Sequence, residues 1–477
     1  MRILHVSTEC YPAAKAGGLG DVAGALPKAL NQLGVDTSVI IPKHRTSWMR
    51  RQQFAELSRG FVRLHNGLVP YVIEEYRGPS LGFPLMVVSS RGLFDREGVY
   101  TGPDGIGYGD EVERNLVFQQ AVLKWIQDLP NQPALLHCHD HHTGLIPFMI
   151  AHCPEYKDLA HIPTVFTVHN GQYTGSFSWE KLYLLPFFDS YARGLLDWED
   201  RINPLATGIR CSWRLTTVSP GYLEELRHDS NGMEWLFGSE WAKSQGILNG
   251  IDTQIWDPAT DPMIDTPLGS DIAAFKAANK EALAHRFRLN PRLPLVAFIG
   301  RLVGEKGADL LPAAIPLFLR EGGAAAFVIL GTGNPWLEEE FRRMSHLYPG
   351  YVDASLEYNE ALAHQLYAGA DFLLMPSRVE PCGLNQMYAM RYGTVPVVRR
   401  VGGLKDTVPD VGDEDGRGLQ FQQYSAHDIA VALMRATHLY KDAGSLAALR
   451  QRIMALDFSW SRSAARYLSL YRELTDL

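Results

Sequence analysis

Short apolar runs alternate along the chain with longer segments of helical periodicity, and the alternation falls into two series. In the first series the predicted strands are Ile3–Val6, Thr37–Ile41, Leu85–Val88, Leu135–His137 and Thr164–Val168. Amphipathic stretches at Val112–Leu129 and Thr143–Ala151 predict helices among the later strands. This order is typical of βαβ units around a parallel sheet.

A second series of the same kind begins near Leu248. Its predicted strands are Leu295–Ile299, Ala326–Leu330, Phe372–Met375 and Val395–Val398, and its predicted helices are Asp309–Arg320, Trp336–Met344 and Leu384–Tyr392. We predict a loop at Asp257–Ile272, a capping box at Ser425–Asp428 and a terminal helix at Trp460–Leu474.

The two series predict an α/β fold with two doubly wound, Rossmann-like domains that face a cleft. We expect domains at residues 1–247 and 248–457, and a terminal helix at 458–477 that packs back on the first domain. In open sheets of this kind a ligand binds outside the carboxyl ends of the strands, so the cleft is the expected site.

Composition narrows the possible functions. The 477 residues are 46% hydrophobic and 21% charged, which allows cores that need no disulfides or metals. A net charge of −8 argues against a general surface for nucleic acid or an anionic membrane. The five cysteines are scattered without a CxxC pair, which predicts reduced thiols and a cytoplasmic setting. Arg2–Val6 predicts a strand rather than a signal peptide, and no apolar run approaches the length of a membrane span.

A glycine-rich cluster, Lys15-Ala-Gly-Gly-Leu-Gly-Asp21, follows the first predicted strand and precedes a helix expected to begin near Asp21. Glycines let backbone N–H groups approach a ligand closely, and a helix N-terminus favours negative charge. Lys15 adds a point charge suited to a phosphate. The alternative is a flexible turn with a solvated lysine.

Two further clusters follow strands of the second series. Arg301 and Lys306 lie just after Leu295–Ile299, where two cations could hold a diphosphate, or could form a solvated basic turn. After Phe372–Met375, the carboxylate of Glu380 could accept hydrogen bonds from sugar hydroxyls, and Gly383–Asn385 offer backbone donors at a helix start. The alternative role for Glu380 is to stabilise the helix dipole.

The histidines divide into a run at His137–His142 and the pair His169-Asn170. The run matches no standard zinc spacing, so we expect no metal there. His169 lies at the end of a predicted strand, and is either a structural residue or part of a site. Together with Lys15 and the second-series clusters, it predicts a site with positive charge and polar groups, which suits a nucleotide-diphosphate sugar.

These motifs resemble those of the bacterial glycogen synthases and plant starch synthases, which are retaining glycosyltransferases of the GT-B type. The resemblance runs along the motifs Lys15-x-Gly-Gly-Leu-Gly-Asp-Val22, His137-x-His-Asp140, Thr167-Val-His-Asn170, Thr217-Val-Ser-Pro220, Leu248-Asn-Gly-Ile-Asp252, Arg301-Leu-Val-Gly-Glu-Lys-Gly307, Ser377-Arg-x-Glu-Pro-Cys-Gly383, Arg391-Tyr-Gly-Thr394 and Gly402-Gly-Leu-x-Asp-Thr407. It covers nearly the whole chain, and the lysine–glycine and Glu-Pro-Cys-Gly motifs in this order are highly specific.

The resemblance implies roles for individual residues. Lys15, Arg301 and Lys306 are implied to bind the diphosphate as leaving group, and Glu380 to orient the glucose hydroxyls. His169 is implied to lie beside the reacting sugar. The other residues with an implied substrate-binding role are Glu9 and Tyr100 on the acceptor side, Asp21 and Asn249 near the nucleotide-sugar, Tyr358 near the adenine, Leu384 and Asn385 as donors to phosphate, and Gly17, Gly18, Asp140, Asn170, Cys382 and Gly383 within the motifs.

The resemblance also implies the reaction: transfer of glucose from ADP-glucose to an α-1,4-glucan, with no metal or other cofactor. The first domain is then the acceptor side and the second binds the nucleotide-sugar. His141, Gly171-Gln172, Val379 and Asn385 depart from the usual family residues, which bears on the affinity for acceptor and the preferred glucan length. The alternatives are a related enzyme that uses a UDP- or GDP-sugar, and a non-catalytic glucan-binding relative. The oligomeric state is left open.

Overall fold

The computed structural model describes residues 1–64, 67–102 and 105–475, which form two compact units. Unit 1 comprises Met1–Asn249 together with the C-terminal segment that begins at Trp460, and unit 2 comprises Gly250–Ser459. Each unit is built on a sheet that is parallel wholly or in its centre.

Unit 1 contains the strands β1 (Arg2–Val6), β2 (Asp36–Pro42), β3 (Phe54–Leu64), β4 (Gly67–Tyr76), β5 (Leu85–Ser89), β6 (Leu135–His139), β7 (Thr164–Val168), β8 (Asp197–Trp198), β9 (Arg201–Ile202), β10 (Arg214–Thr217) and β11 (Ser244–Gly246). Within the described ranges, nine of them form a sheet in the order β11-β10-β7-β6-β1-β2-β5-β4-β3, and β8 pairs with β9. The pairs β3–β4 and β4–β5 are antiparallel, and the other pairs in the large sheet are parallel. All five strands predicted for this part of the chain are confirmed.

The helices of unit 1 that precede unit 2 in the chain are α1 (Gly18–Gln32), α2 (Glu111–Gln127), α3 (Ile146–His152), α4 (Arg193–Leu196), α5 (Pro204–Cys211), α6 (Pro220–Leu226) and α7 (Glu234–Ser239). Two predicted starts are wrong. Helix α1 begins at Gly18, three residues before Asp21, and its N-cap Gly17 has extended backbone. Helix α3 begins at Ile146 because a short 3₁₀ turn occupies His141–Thr143.

Unit 2 contains the strands β12 (Leu295–Ile299), β13 (Ala326–Leu330), β14 (Val352–Ser355), β15 (Phe372–Met375), β16 (Val395–Arg399) and β17 (Leu419–Phe421). All neighbours are parallel, in the order β14-β13-β12-β15-β16-β17. This is the Rossmann order, in which the direction of winding reverses between the first and fourth strands, here β12 and β15. The four strands predicted for this part of the chain are confirmed.

The helices of unit 2 are α8 (Ile272–Arg286), α9 (Leu311–Arg320), α10 (Pro335–Leu347), α11 (Glu360–Gly369), α12 (Asn385–Arg391), α13 (Gly402–Thr407), α14 (Ala426–Lys441) and α15 (Ala443–Met454). Ser425 is the N-cap of α14, since its Oγ accepts a hydrogen bond from the backbone N–H of Asp428 at 3.1 Å. The reciprocal bond of the predicted capping box is displaced by two residues, because Oδ2 of Asp428 accepts from the N–H of Gln423 at 2.9 Å. The segment predicted as a loop, Asp257–Ile272, is irregular up to the start of α8.

The terminal helix α16 (Trp460–Thr475) belongs to unit 1 although all of unit 2 precedes it in the chain. Its buried face, which includes Tyr467 and Tyr471, lies in one apolar cluster with Val22 and Leu26 of α1. Among the described residues, no helix has both the length and the apolar character needed to span a membrane.

Candidate active site

In unit 1 the winding of the sheet reverses between β1 and β6, and the loop after β1 carries the glycine-rich cluster. The carboxylate of Glu9 is buried beneath this loop. Its Oε2 accepts hydrogen bonds from the backbone N–H groups of Ala16 at 2.5 Å and Gly17 at 2.9 Å, and its Oε1 accepts from the hydroxyl of Tyr100 at 2.6 Å. Glu9 and Tyr100, predicted on the acceptor side, therefore hold the lysine–glycine loop in place.

Burial dominates the electrostatics of this pair. It raises the pKa of Glu9 above its ordinary value, although the three hydrogen bonds to the carboxylate act in the opposite direction. The pKa of Tyr100 is raised well above its ordinary value by burial and by the adjacent Glu9. Tyr100 therefore keeps its proton, and donates it to the carboxylate.

Lys15 and Asp21 are brought together. Nζ of Lys15 donates to Oδ1 of Asp21 at 2.7 Å, with both side chains partly exposed. A Cβ built on Gly17 or Gly18 would meet no atom of the described residues within 4 Å. The backbone of the loop thus has open space beside it, at the first turn of α1, where N–H groups and the helix dipole favour an anion.

Asp140 and His169 follow the neighbouring strands β6 and β7, and the structure brings them together. Oδ1 of Asp140 accepts the backbone N–H of His169 at 2.7 Å. Asp140 adopts φ 56°, in the left-handed region, with its own N–H donating to the carbonyl of Thr167 at 2.9 Å. Asn170, which follows His169, closes a turn because its side-chain Oδ1 accepts a hydrogen bond from the backbone N–H of Gln172 at 3.0 Å.

Asn249 is the last residue of unit 1 before the chain enters unit 2, and it is buried. Its Oδ1 has no hydrogen-bond partner within residues 1–64, 67–102 and 105–475. A buried amide oxygen without a partner costs free energy, and a ligand that donates a hydrogen bond would remove that cost.

Within the described parts of the chain, two histidine clusters have ligand atoms close enough to consider for a metal: His5, His137 and His139, and Glu111, His141 and His142. In the first, both ring nitrogens of His137 already bond to hydroxyls, at 2.6 Å from Tyr471 and 2.6 Å from Thr167. These hydroxyl partners disfavour coordination by the first cluster. In the second, the rings of His141 and His142 are tilted by 34° with centroids 3.7 Å apart, and Nε2 of His141 lies 3.6 Å from Oε1 of Glu111.

In unit 2 the predicted cation and carboxylate are in direct contact at the point where the winding reverses. Nζ of Lys306, after β12, lies 2.8 Å from both carboxylate oxygens of Glu380, after β15. The hydroxyl of Ser377 donates to Oε2 of Glu380 at 2.9 Å. The side chain of Glu380 is only 8% exposed and that of Lys306 is 24% exposed, so this pair is screened little by water.

The backbone around this pair is held by three close approaches. Gly307 adopts φ 73°, and a Cβ there would lie 2.1 Å from the carbonyl oxygen of Pro376. The N–H of Arg378 donates to the carbonyl of Glu305 at 2.8 Å. Nδ2 of Asn385 donates to the carbonyl of Ile299 at 2.8 Å, which links the start of α12 to the end of β12. Only glycine fits at position 307, and the contact places Lys306 against the loop that carries Glu380.

The other predicted residues of unit 2 lie on adjacent loops. Arg301 bonds to Glu305 at 3.2 Å and its side chain is 60% exposed. Cys382, Gly383 and Leu384 form the turn into α12, in which the side-chain amide of Gln386 donates to the carbonyls of Cys382 and Gly383 at 3.1 and 2.9 Å.

Tyr358 lies between β14 and α11 and is 82% exposed. Its ring is thus accessible for stacking.

Sequence reasoning gave no role to three residues that support these groups, although Ser377 and His139 stand within its motifs. Ser377 donates a hydrogen bond to Glu380. His139 lies within hydrogen-bond distance of both His5 and His169. The signal for His139 was its spacing of two from His137, which places both side chains on one face of a strand. His5 is aligned with His137 on the next strand, which only the order of strands reveals.

Comparison with known proteins supplies a family context. The profile described as starch synthase catalytic domain matches residues 2–238, and that of glycosyl transferases group 1 matches residues 293–438. A curated glycogen synthase from Flavobacterium johnsoniae is 46% identical over 473 residues, covering 99% of this chain and 98% of that protein. A glycogen synthase from Anaeromyxobacter sp. (strain Fw109-5) is 40% identical over 483 residues, covering 99% of each.

Two solved structures are similar to this chain over nearly their whole length. The catalytic domain of starch synthase IV from Arabidopsis thaliana, bound to ADP and acarbose, matches with a TM-score of 0.87 and 33% identity, over 100% of this chain and 99% of that one. Sucrose-phosphate synthase from Thermosynechococcus elongatus matches with a TM-score of 0.62 and 17% identity, over 100% and 99%. The second likeness concerns the fold alone, and both support the α/β fold class predicted from the sequence.

Proposed function

The chain belongs to the family of bacterial glycogen synthases and plant starch synthases, which makes it a glycosyltransferase, and we propose that it transfers glucose from ADP-glucose to the non-reducing end of an α-1,4-glucan with retention of configuration. The observation that carries this proposal is the contact of Lys306 with Glu380 at the reversal point of a Rossmann sheet. That contact puts a cation for phosphate and a carboxylate for sugar hydroxyls side by side. The ADP in the related starch synthase IV structure supports the choice of nucleotide.

The proposed first step is departure of the diphosphate. As the bond between C1 of glucose and the phosphate oxygen breaks, its electron pair leaves with ADP and positive charge develops on the sugar. We assign Lys306 and Arg301 to stabilise the charge on the leaving group, and we assign the same role to Lys15. In sites that exclude water, one preorganised donor of this kind lowers a barrier by roughly 3 to 4 kcal/mol. Lys306, whose side chain is 24% exposed, comes nearer to that condition than Arg301, whose side chain is 60% exposed.

The proposed second step is attack by the 4-hydroxyl of the glucan on C1, from the face that the phosphate leaves. The hydroxyl gives its proton to the departing phosphate as the new C–O bond forms, so atoms and charge balance without a metal. Glu380 is held by Lys306 and Ser377 in the structure. That position suits a carboxylate that orients sugar hydroxyls, and it disfavours the nucleophile of a double displacement.

Unit 1 contributes the lysine–glycine loop and the groups after β6 and β7. We assign the open backbone beside Gly17 and Gly18 to the donor phosphate or sugar, with the N–H of Gly17 kept by Glu9. We assign Asp21 and Asn249 to the same substrate, and Asp140, His169 and Asn170 to the reacting glucose. The support is open space beside Gly17 and Gly18 and the buried amide oxygen of Asn249. We assign Tyr358 to the adenine and the turn Cys382–Asn385 to the phosphates.

We place the activity in the cytoplasm. All five cysteines are free thiols in the structure, and four are buried, which fits a reducing compartment.

The test is transfer of labelled glucose into glycogen from ADP-glucose and, in parallel, from UDP-glucose, each with and without EDTA. We expect transfer from ADP-glucose to exceed transfer from UDP-glucose by at least about tenfold, a difference of 1.4 kcal/mol, and to be unaffected by EDTA. Proton NMR of the first product should show an α-linkage. Preference for UDP-glucose, inhibition by EDTA, or no transfer would each contradict the proposal.

A further inference from the structure

Three buried imidazoles from three neighbouring strands form one hydrogen-bonded series in unit 1. Nδ1 of His5 on β1 lies 3.0 Å from Nε2 of His139 on β6. Nδ1 of His139 lies 2.9 Å from Nε2 of His169 at the end of β7. The series uses both ring nitrogens of His139 and ends at His169, one of the residues proposed to contact the sugar.

All three rings are neutral at physiological pH. Burial lowers the pKa of His5 to about 3 and lowers that of His139 well below its ordinary value. Burial also lowers the pKa of His169, although the charge of Asp140 opposes the shift. A neutral imidazole has one N–H and one bare nitrogen, so each donates at one end and accepts at the other.

Neutrality leaves two arrangements of the protons. In one, each ring has its proton on Nδ1, His5 donates to His139, and His139 donates to His169. In the other, each ring has its proton on Nε2 and every bond runs the opposite way. The tautomer of His5 therefore determines the tautomer of His169, and the reverse.

Both ends favour the first arrangement. Nε2 of His5 is buried and has no hydrogen-bond partner in the part of the chain that the structure describes. A buried bare nitrogen is tolerated better than a buried N–H without an acceptor. At the other end, the carboxylate of Asp140 accepts the backbone N–H of His169, and its negative potential favours a proton on Nδ1, the nitrogen closer to the backbone.

From this geometry we propose that His139, supported by His5, is a positioning residue that fixes His169 in the Nδ1–H tautomer. The nitrogen of His169 that lies outside the series is then a permanent hydrogen-bond donor, and cannot serve as a general base. The inference rests on the proposed function for what His169 does, but the tautomers themselves can be measured without turnover.

The decisive measurement is the ¹⁵N spectrum of the imidazoles in full-length protein labelled at histidine, because protonated and bare ring nitrogens resonate far apart. Signals are assigned from the variants His5→Asn, His139→Asn and His169→Asn. We expect all three rings to have the proton on Nδ1 and a bare Nε2. A proton on Nε2 of His139 or His169 overturns the proposal, and the wild-type spectrum decides this even if a variant fails to fold.

Two variants at position 139 separate positioning from packing. In His139→Asn the amide nitrogen can replace the donor at Nδ1, so His169 should keep its tautomer and kcat should fall by less than about fivefold. In His139→Leu the donor is lost, and kcat should fall about 10- to 100-fold with a smaller change in KM for ADP-glucose. Equal kcat in both variants, or an unchanged His169 spectrum in His139→Leu, would argue for packing alone.

The matched control is Tyr471→Phe. It removes the hydroxyl that bonds to Nδ1 of His137 at 2.6 Å, and the ring of His137 stacks on His139 with centroids 4.2 Å apart. The same core is disturbed but the series is not touched, so stability should fall while the His169 signals and kcat stay as in wild type. If the wild-type protein gave the expected spectrum yet transferred no glucose, the proposed function would fail and the tautomer assignment would stand.

Discussion

Nζ of Lys306 lies 2.8 Å from each carboxylate oxygen of Glu380, across 74 positions of sequence. The positive charge of Lys306 is thus already paired with the negative charge of Glu380. A diphosphate that binds Lys306 would either displace Glu380 or share the lysine with it. Ser377 holds Glu380 from a second direction, so the carboxylate has a hydrogen-bond partner that does not depend on Lys306. The contact places a cation and a carboxylate side by side, which is the arrangement that the proposed donor, with its phosphates and hydroxyls, requires.

The first prediction concerns the leaving group. Lys306→Ala and Arg301→Ala should each lower kcat with ADP-glucose by about 10²- to 10³-fold, because each removes a charge that acts on the departing diphosphate. Lys441→Ala, at an exposed lysine at the end of α14, is the matched control and should have wild-type kcat. Steady-state kinetics with glycogen as acceptor give the answer, and a loss of only a few-fold would remove the leaving-group role.

The second prediction concerns Gly307. Gly307→Ala places a methyl group against the carbonyl of Pro376 and should lower the free energy of unfolding of unit 2 by at least about 2 kcal/mol more than Gly322→Ala. Gly322 also has positive φ, 89°, but a Cβ there meets no atom of the described residues within 4 Å. The control thus isolates the backbone cost, about 1 kcal/mol. Urea unfolding measures both, and equal losses would contradict the steric argument. Transfer activity should also fall in Gly307→Ala, since Lys306 must shift.

The third prediction concerns pH. Burial raises the pKa of Glu9 in the folded protein, so above pH 4.5, the ordinary glutamate pKa, the unfolded chain has lost a proton that the folded protein still binds. The Glu9 contribution to stability is then fully present below pH 4.5 and declines as pH rises, by at most about 1.4 kcal/mol per pH unit. Glu9→Gln lacks this decline.

The predicted pH dependence is tested by urea unfolding of wild type and Glu9→Gln at a series of pH values. Wild type should become less stable relative to the variant as pH rises. Tyr100→Phe removes a hydrogen bond that favours the ionised carboxylate, so its decline with pH should be larger than that of wild type. A difference between wild type and Glu9→Gln that is independent of pH, or that runs the other way, would count against the argument.

Most strands of both sheets could be predicted because each is a short, continuous apolar run between turns. The hairpin of β3 and β4 could not. Gly60 and Pro70 within it predict interruption, whereas in the structure Gly60 lies opposite Tyr71, whose hydroxyl would be 2.7 Å from a Cβ at position 60. The ring of Tyr71 thus occupies the space beside Gly60, and this cross-strand pairing cannot be identified from the sequence.

The candidate site shows the same limit. The pattern of apolar runs along the sequence was enough to place Lys306 and Glu380 at the carboxyl ends of strands. Their contact depends on β12 and β15 being neighbours, which is a property of the strand order. The series from His5 to His169 likewise requires β6 to lie between β1 and β7. The convergence of Lys15 with Arg301 and Lys306 on one diphosphate stays a prediction.

The fourth prediction concerns α16. Tyr467→Ala should lower the free energy of unfolding of unit 1 by about 3 to 5 kcal/mol, because it removes a fully buried ring from the cluster shared with α1. Arg466→Ala, one residue away on the exposed face, is the matched control and should change stability by less than about 0.5 kcal/mol. Thermal or urea unfolding followed by circular dichroism measures both, and similar losses would show that the helix is loosely docked.

Because α16 completes the core of unit 1, that unit cannot finish folding when its first 249 residues have been synthesised. The first 249 residues leave the ribosome long before Trp460 is made, and all of unit 2 is translated while the apolar face of α1 still lacks its cover. Unit 2, which is one continuous segment, can mature first. A nascent chain that stalls before Trp460 is made therefore exposes an unfinished unit 1 to chaperones and proteases.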